Sequence, residues 1–331
     1  MTTSRIAKPN RILLVALDNL GDLVFASALT PPLRSAFPDA TIDIWSKTYT
    51  AAVARLVPNI SSVIDAEPFW AVRRGTTRPP LKPVLRAIRD LRNAHYDVAI
   101  LSGAPWRTAA AVAAARIPTR IGLARHRNRF FLSHVLPAEN KHRAVLLEQA
   151  RLLEPLGINS TNPRYSLDTA PLAQTRAELA RVLPEQFVAL HPFASSRDRC
   201  VPLGEWTQVA FALAARHMTV LWIGTTTDLN ELRSMTLPKG IYIDQIGDGS
   251  LTATAAALSM AASFAGHDSG PLHVAGAFGI PVVGVFAPGE PDRTFPQGIG
   301  PSRMISRPSP EGIAATDILR ELDALEIVSA T

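Results

Sequence analysis

The chain has 331 residues, of which 47% are hydrophobic, and its formal net charge is +6 at pH 7. This length suits two folded domains, and this composition excludes an intrinsically disordered chain. The single cysteine, Cys200, excludes an internal disulfide framework, and no apolar run approaches the roughly 18 residues of a membrane-spanning helix.

The charge is distributed unevenly along the chain. Residues 1–160 contain 22 Lys and Arg against 11 Asp and Glu, a net charge of +11, whereas residues 161–331 contain 12 against 17, a net charge of −5. The basic half favours an anionic partner, such as a phosphorylated acceptor, a membrane surface or nucleic acid. We expect no nucleic acid, because no recognition motif or aromatic platform accompanies the charge. The positive charge is densest between Arg116 and Arg129, where a solvated loop and helix face is the simpler explanation.

Short apolar runs alternate with helical patterns from end to end, which predicts parallel α/β units. In the first half, a helix follows Asp22 and is interrupted at Pro31 and Pro32, and residues 70–83 are predicted to form a loop. The predicted strands are Arg11–Leu17, Ala40–Trp45, Val63–Ile64 and Val98–Leu101, then Phe187–Leu190, Thr219–Ile223, Ile241–Ile243 and 281–286. The predicted helices of the second half cover 204–216, a segment from about 228, 251–261 and 310–327.

A stretch rich in Asn, Thr and Pro at 157–186 separates the two halves. We therefore predict an N-terminal domain at 1–165, a linker at 166–186, a C-terminal domain at 187–308, and a C-terminal helix at 309–331 that packs back on the N-terminal domain. Two doubly wound α/β domains bind ligands at the carboxyl ends of their strands, so we expect a site in a cleft between them.

Polar loops follow three of the predicted strands. A fourth polar segment follows a run of small residues near residue 264, where a further strand is expected to end. In the first loop, Asp22 occupies the first helical turn, where it is either a dipole-favoured cap or a general base facing the cleft. The loop from His191 to Pro202 offers hydroxyls, amides and arginines that could hold a diphosphate. In the third, Asp228 is either a helix cap or a ribose ligand. The turn from Asp268 to His273 combines a helix N-terminus, which suits a phosphate, with polar side chains that suit hydroxyl groups, although a plain capped turn is the structural alternative.

Several familiar motifs are missing. No Gly-x-Gly-x-x-Gly follows a strand, which disfavours a nicotinamide dehydrogenase, and there is no Walker-type loop. The eight histidines show no metal-ligand spacing. We therefore expect no cofactor and no bound metal.

Four of these stretches, in this order, resemble glycosyltransferase family 9, the heptosyltransferases of the lipopolysaccharide inner core. Residues 12–24 are similar to the family's opening strand and Gly-Asp turn, and residues 191–202 to its phosphate loop. Residues 268–273 are similar to its nucleotide signature, and residues 286–294 to the stretch after its last major strand. The resemblance covers most of the chain.

The resemblance implies the α/β GT-B architecture, with two Rossmann-like doubly wound parallel-sheet domains facing a cleft. It implies an inverting, metal-independent transferase that moves a heptose from ADP-heptose, with Asp22 as the base. Apart from the resemblance, we predict acceptor contacts at Gly21, Arg120, Arg125 and Arg127 in the basic half. Donor contacts are assigned to Ser195, Ser196, Arg199, Asp228, Asp268, Ser269, Gly270 and His273.

The implied acceptor is an anionic glycolipid or saccharide, and the implied location is cytoplasmic, peripheral on the inner face of the inner membrane. The sequence departs from the family pattern at Arg199, usually a lysine, at Cys200-Val201, and at His267, where Asn is common. Two alternatives stay open: a nucleotide-sugar epimerase of the same fold, and a catalytically silent nucleotide- or glycan-binding protein.

Overall fold

The computed structural model describes residues 6–68, 70, 81–103, 105–138 and 143–325. These residues form two compact units that divide between Tyr165 and Ser166, and each unit holds a six-stranded parallel sheet with helices. Most of the predicted loop at 70–83 lies outside the described residues. Its last three residues open a helix instead of a loop.

The sheet of the first unit has the strand order β3-β2-β1-β4-β5-β6. Its central strand β1 is buried from Ile12 to Ala16, as expected for a parallel strand with helices on both faces. The strands are β1 Arg11–Ala16, β2 Thr41–Ser46, β3 Ser62–Asp65, β4 Val98–Leu101, β5 Thr119–Leu123 and β6 His134–Leu136.

The helices of the first unit include the predicted interruption at the proline pair. Helix α1 ends at Ser27 and α2 begins at Thr30, so that Pro31 and Pro32 lie in a first turn, where a missing N–H costs little. The helices are α1 Leu20–Ser27, α2 Thr30–Ala36, α3 Ala51–Ala54, α4 Leu81–Asn93, α5 Trp106–Ala114 and α6 Val145–Ala150.

The second unit repeats this arrangement with the strand order β12-β11-β10-β7-β8-β9. Its strands are β7 Phe187–His191, β8 Thr219–Trp222, β9 Ile241–Tyr242, β10 Ser263–His267, β11 Val282–Phe286 and β12 Ser302–Ser306. Its helices are α7 Ala173–Leu179, α8 Leu203–Ala215, α9 Thr226–Arg233, α10 Leu251–Leu258, α11 Gly270–Ala277, α12 Pro291–Thr294 and α13 Ala315–Asp323.

Both sheets have a topological switch point. The strand that comes first in each unit, β1 or β7, pairs with the fourth, β4 or β10. The chain segments that follow these two adjacent strands run toward opposite sides of the sheet. This divergence opens a crevice at the carboxyl ends of the two strands. The polar loops after β1, β7 and β10 therefore begin where a doubly wound sheet binds its ligands.

One part of the predicted domain division was wrong. The predicted linker belongs to the second unit, because α7 lies within it and packs against α10. Within the same unit, Ile318 and Leu322 of helix α13 are buried where α13 packs on α8, β10, β11 and β12. The backbone N–H of Ala315 also donates to the carboxylate of Glu205 in α8, at 2.7 Å.

Strands β5, β6 and β12 were missed by the sequence prediction. Arg120 and Gly122 interrupt the apolar pattern of β5, and a Cβ at Gly122 would lie about 3.0 Å from a methyl group of Leu132. Strands β6 and β12 lie at sheet edges, where few side chains are buried and the pattern is weak. No helix among the described residues is long and apolar enough to cross a membrane.

Candidate active site

The loop between β1 and α1 places two carboxylates at the switch point of the first unit. Asp22 is the third residue of α1, and its Oδ2 accepts the backbone N–H of Asn19 at 3.0 Å. This bond satisfies a donor at the helix start and fixes the side chain in the first turn. The capping role considered for Asp22 is therefore real, and the second carboxylate oxygen is left for other contacts.

Asp18, which we had not assigned to the site, comes two residues after the end of β1. Burial, together with the nearby charge of Asp22, raises the pKa of this carboxyl to about 7, although Lys47 and Arg125 act to lower it. Near neutral pH, Asp18 is therefore partly protonated while it stands beside the predicted base. The sequence signal that could have identified it is an acid directly after a buried central strand.

Gly103 makes room for Asp18. It follows β4, the partner of β1 across the switch point, and has a φ of +74°. A Cβ at this position would lie 2.0 Å from Oδ2 of Asp18. The carboxyl group therefore lies against bare backbone, in a position that an alanine at 103 would block.

Of the four predicted acceptor residues, Arg120 is used within the fold of the first unit. Arg120 lies near the start of β5, and its guanidinium donates to the carbonyl oxygens of Ile117, Pro118 and Phe131 at 2.5, 3.0 and 2.6 Å. It holds the fold of the first unit, and we no longer assign it to the acceptor site.

The other three acceptor candidates lie at or beyond the carboxyl ends of strands. Gly21 precedes Asp22 in the first turn of α1. Arg125 follows β5, is close enough to lower the pKa of Asp18, and pairs with Glu148 at 3.9 Å. Arg127 is exposed in the short 3-10 helix that follows. Lys141 and His142, which also contribute to the basic half, lie outside the described residues.

In the second unit, Asp268 joins three strand-end loops. Its Oδ2 accepts from Arg199 at 3.3 Å and from the hydroxyl of Thr294 at 3.0 Å, and its Oδ1 lies 3.3 Å from Nε2 of His273. Arg199 belongs to the loop after β7, and Thr294 ends α12 in the segment after β11. Asp268 itself follows β10, so a single carboxylate ties these loops together.

Although burial favours the neutral form of Asp268, its hydrogen bond to His273 and the neighbouring cations hold the pKa of the carboxyl below its usual value. It is therefore ionised at neutral pH, and its charge is directed at Arg199, His273 and Thr294. A carboxylate paired in this way repels a nearby phosphate less than an unpaired one.

The turn after β10 leads directly into α11. The Ser269 hydroxyl donates to the carbonyl of His267 at 3.0 Å, and Gly270 is the first helical residue, followed by a proline. The first N–H groups of a helix have no partner within it and carry partial positive charge. The predicted phosphate-binding turn thus has the backbone geometry that its sequence suggested.

The loop after β7 connects to α9. Ser195 is exposed, and the hydroxyl of Ser196 donates to the carboxylate of Asp198. Arg197 pairs with Glu231 of α9 and lies over the ring of Phe193, with its guanidinium carbon 5.6 Å from the ring centre.

Asp228 closes the N-terminus of α9. Its Oδ2 accepts from the backbone N–H and the hydroxyl of Thr225, at 3.0 and 2.7 Å. Thr225 in turn accepts the N–H of Asp228 at 3.3 Å, which completes a capping box. The capping role is therefore real, and any ribose contact falls to the other carboxylate oxygen.

Residues 84–312 match the family model described as glycosyltransferase family 9 (heptosyltransferase), a span of 229 of the 331 residues. The chain belongs to glycosyltransferase family 9. It is 26% identical to lipopolysaccharide heptosyltransferase 3 of Escherichia coli K12, over 83% of this chain and 81% of that protein.

Two solved structures share the GT-B fold with this family 9 chain. The family 9 glycosyltransferase of Veillonella parvula gives a TM-score of 0.81 at 18% identity, with 99% of each chain covered. ADP-heptose lipopolysaccharide heptosyltransferase II of E. coli gives 0.79 at 19% identity, with 97% of this chain and 100% of that chain covered. The predicted α/β class and family are therefore confirmed.

Two departures of this family 9 member from the family pattern contact each other. The buried ring of His267 accepts the backbone N–H of Val201 through Nε2 at 3.2 Å, and packs edge-on against Trp206. Beside it, Gly266 is needed because a Cβ there would lie 2.8 Å from the carbonyl oxygen of His191. The hydrogen bond between His267 and Val201 thus anchors the end of the loop after β7 in the core of the second unit.

The buried position of His267 predicts an acid-sensitive second unit. Burial, with smaller effects from His191 and Arg199, lowers the pKa of His267 to about 3 from 6.5. Because the unfolded chain binds this proton below pH 6.5 and the folded chain does not, stability falls as the pH falls. Between pH 7.5 and 5.5, the wild type should lose about 1.4 kcal/mol of unfolding free energy that His267→Asn does not lose.

Denaturant unfolding of both proteins at the two pH values measures this difference. The asparagine retains an acceptor for Val201, and other titrating groups cancel in the comparison. Equal losses in the two proteins would show that the pKa of His267 is the same in the folded and the unfolded chain.

Proposed function

We propose that this chain is an inverting, metal-independent heptosyltransferase that uses ADP-heptose as donor. The observation that carries the proposal is the convergence of the β7, β10 and β11 loops on Asp268, next to the start of α11. Helix N–H groups suit a diphosphate, and the remaining lone pairs of Asp268 suit sugar hydroxyls. The name of the E. coli relative, an ADP-heptose heptosyltransferase, supports this donor.

In the proposed reaction, Asp22 removes the proton from an acceptor hydroxyl bound to the first unit. The hydroxyl oxygen then attacks the anomeric carbon of the heptose, and the bond from that carbon to the diphosphate breaks. ADP leaves with the bonding electron pair, and the anomeric configuration inverts. A partly protonated Asp18 helps, because a neutral neighbour adds no second negative charge beside the working base.

The departing diphosphate needs positive charge and hydrogen-bond donors. Arg199, the first-turn N–H groups of α11 and the hydroxyl of Ser195 are the donors that we assign to this task. The hydroxyls of Ser196 and Ser269 join them by turning away from Asp198 and from the carbonyl of His267. Asp228 is assigned to the ribose. The described residues contain no group of three or more His, Cys, Asp or Glu that could hold a metal ion.

We propose an anionic saccharide of the lipopolysaccharide core as the acceptor, bound by the first unit with Gly21, Arg125 and Arg127. The net charge of +11 over residues 1–160 supports a phosphorylated acceptor. We further propose that the protein works in the cytoplasm, on the inner face of the inner membrane, as expected for an enzyme with a lipid-linked acceptor.

A turnover assay tests this function against its alternatives. ADP release from ADP-heptose should require the acceptor saccharide and should match the amount of glycosylated product. An epimerase would convert the donor with no acceptor present, and a silent binding protein would bind nucleotide without turnover. Either result would remove the transferase proposal.

The donor can be tested separately by thermal shift. Ligands that bind only the folded state raise the melting temperature, so ADP and ADP-heptose should stabilise the protein more than UDP, GDP and their sugar conjugates. A larger shift with UDP or GDP conjugates would show that the donor is not ADP-heptose. The proposed glycosyl transfer would not be affected by that result.

A further inference from the structure

A shallow apolar groove lies between α4 and α5 on the outside of the first unit. Its volume is about 320 Å³. The alanines of α5 line the base of the groove, because their small side chains leave space above the helix. It is lined by Trp70, Ile88, Trp106, Arg107, Ala110, Ala111 and Ala114.

Large apolar side chains are exposed on the elements that form the groove and on the 3-10 helix that α5 contacts. Leu85 on α4 is 56% exposed, Trp106 at the start of α5 is 37% exposed, and Phe130 is 72% exposed. The ring of Trp106 is fixed by stacking on Phe131, with 6.2 Å between ring centres. These elements are continuous, since α5 contacts both α4 and the 3-10 helix at 126–130. We call this surface the α4–α5 face.

Arginines surround the apolar side chains of the α4–α5 face. The guanidinium of Arg107 lies 4.8 Å from the ring centre of Trp106, and that of Arg129 lies 5.1 Å from that of Phe130. On α4, the exposed side carries Lys82, Arg86, Arg89 and Arg92. Residues 81–131 hold 10 Lys and Arg against 2 Asp, a net charge of +8, which exceeds the +6 of the whole chain.

We infer that the α4–α5 face binds the surface of an anionic lipid bilayer. Tryptophan and phenylalanine favour the boundary between headgroups and acyl chains, and arginines beside them are attracted to anionic headgroups. Helix α4 buries Val84, Ala87 and Leu91 in the protein and turns its cations outward, so its outer side is suited to lie against the headgroup layer. This inference rests on the proposed function, since it supplies the surface by which the enzyme reaches a lipid-linked acceptor.

The same features are less suited to a polymer partner. The ring of Trp106 is in contact with Phe131 and Arg107, which leaves less of it to stack on nucleic-acid bases. A specific protein interface needs roughly 1,000 Å² of complementary surface. Separate apolar side chains divided by arginines suit instead a fluid headgroup layer, which adapts to each of them.

Sedimentation of the full chain with lipid vesicles tests the inference. Vesicles of phosphatidylcholine with about a third phosphatidylglycerol should bind the protein at least tenfold more strongly than pure phosphatidylcholine, because each cation near the surface adds attraction. Phe130→Ser and the double variant Arg86→Glu/Arg89→Glu should each reduce binding to the anionic vesicles, the double variant by tenfold or more.

The second unit provides matched controls. Phe211 is 46% exposed on α8 and Arg181 is exposed after α7. Phe211→Ser and Arg181→Glu should leave vesicle binding unchanged. Weak binding by the wild type at physiological salt, or equal losses in the control variants, would overturn the inference.

Transfer to a water-soluble acceptor saccharide, measured without vesicles, separates this inference from the proposed function. The α4–α5 variants should retain that activity, which also shows that they fold. If soluble transfer is present but anionic vesicles are not bound, the membrane surface is wrong and the enzyme assignment stands.

Discussion

Replacing Asp22 by asparagine should lower kcat for sugar transfer by about 100- to 10,000-fold, the usual contribution of a positioned general base. Asparagine cannot accept the hydroxyl proton. Its amide oxygen can still accept the N–H of Asn19, so the first turn of α1 should keep its cap. Nucleotide affinity should change little, because the predicted donor residues all lie in the second unit.

A matched control exists in α13. Asp317 is also the third residue of its helix, and its carboxylate accepts the backbone N–H of Ala314 at 3.2 Å. Asp317→Asn therefore repeats the cap substitution away from the candidate site, and it should retain wild-type turnover. If Asp22→Asn also retains its turnover, Asp22 is not the base.

Replacing Asp18 by asparagine should stabilise the protein, and the gain should grow as the pH rises. Asp18 has a pKa of about 7 in the folded chain, raised from 3.8 chiefly by burial. Below pH 3.8, both folded and unfolded chains hold the proton, and the residue has no effect through ionisation. Above it, the unfolded chain releases the proton first, so stability is lost until about pH 7.

The size of this effect follows from the shift. The loss reaches a ceiling of about 4 kcal/mol above pH 7, and about 2.5 kcal/mol of it falls between pH 5 and 8. Asparagine has no such loss, since it imitates the neutral acid at every pH. Because Asp18 is only partly buried, solvent screening will reduce the measured difference below the ceiling.

Urea unfolding of wild type and Asp18→Asn at pH 5 and pH 8 measures this gain. Gly103→Ala is a useful companion, because its Cβ would displace the carboxyl group from its pocket. A difference between wild type and Asp18→Asn that stays constant with pH would mean that Asp18 titrates normally.

Most residues of the candidate site could be proposed from the sequence because they lie in short local motifs. Gly21-Asp22 and Asp268-Ser269-Gly270 each follow a buried strand and begin a helix, and such turns can be identified without knowing the rest of the chain. Their placement at two switch points then follows from the alternation of strands and helices.

The missed features depend on residues that are distant in the sequence. Asp18 becomes a buried acid only because Gly103, 85 positions later, leaves room for it. Arg120 was assigned to the acceptor from charge density alone, and its three carbonyl partners become visible only once β5 is in place.

The partners of the C-terminal helix within its own unit were missed for the same reason. Its apolar pattern predicts that one side is buried, but the partner is chosen by contacts such as that between Glu205 and Ala315. The bond from Ser196 to Asp198 likewise follows from side-chain geometry, whereas the capping role of Asp228 was one of the two alternatives that the sequence predicted.

The central claim is that this chain transfers heptose from ADP-heptose with inversion at the anomeric carbon, using Asp22 as the base. The most direct test is the NMR spectrum of the product formed from ADP-heptose and a phosphorylated core saccharide, with wild type and Asp22→Asn compared. We predict a new glycosidic bond with the anomeric configuration opposite to that of the donor, formed by the wild type and nearly absent with the variant. A product that retains the donor's configuration, or one formed equally by both proteins, would contradict the account.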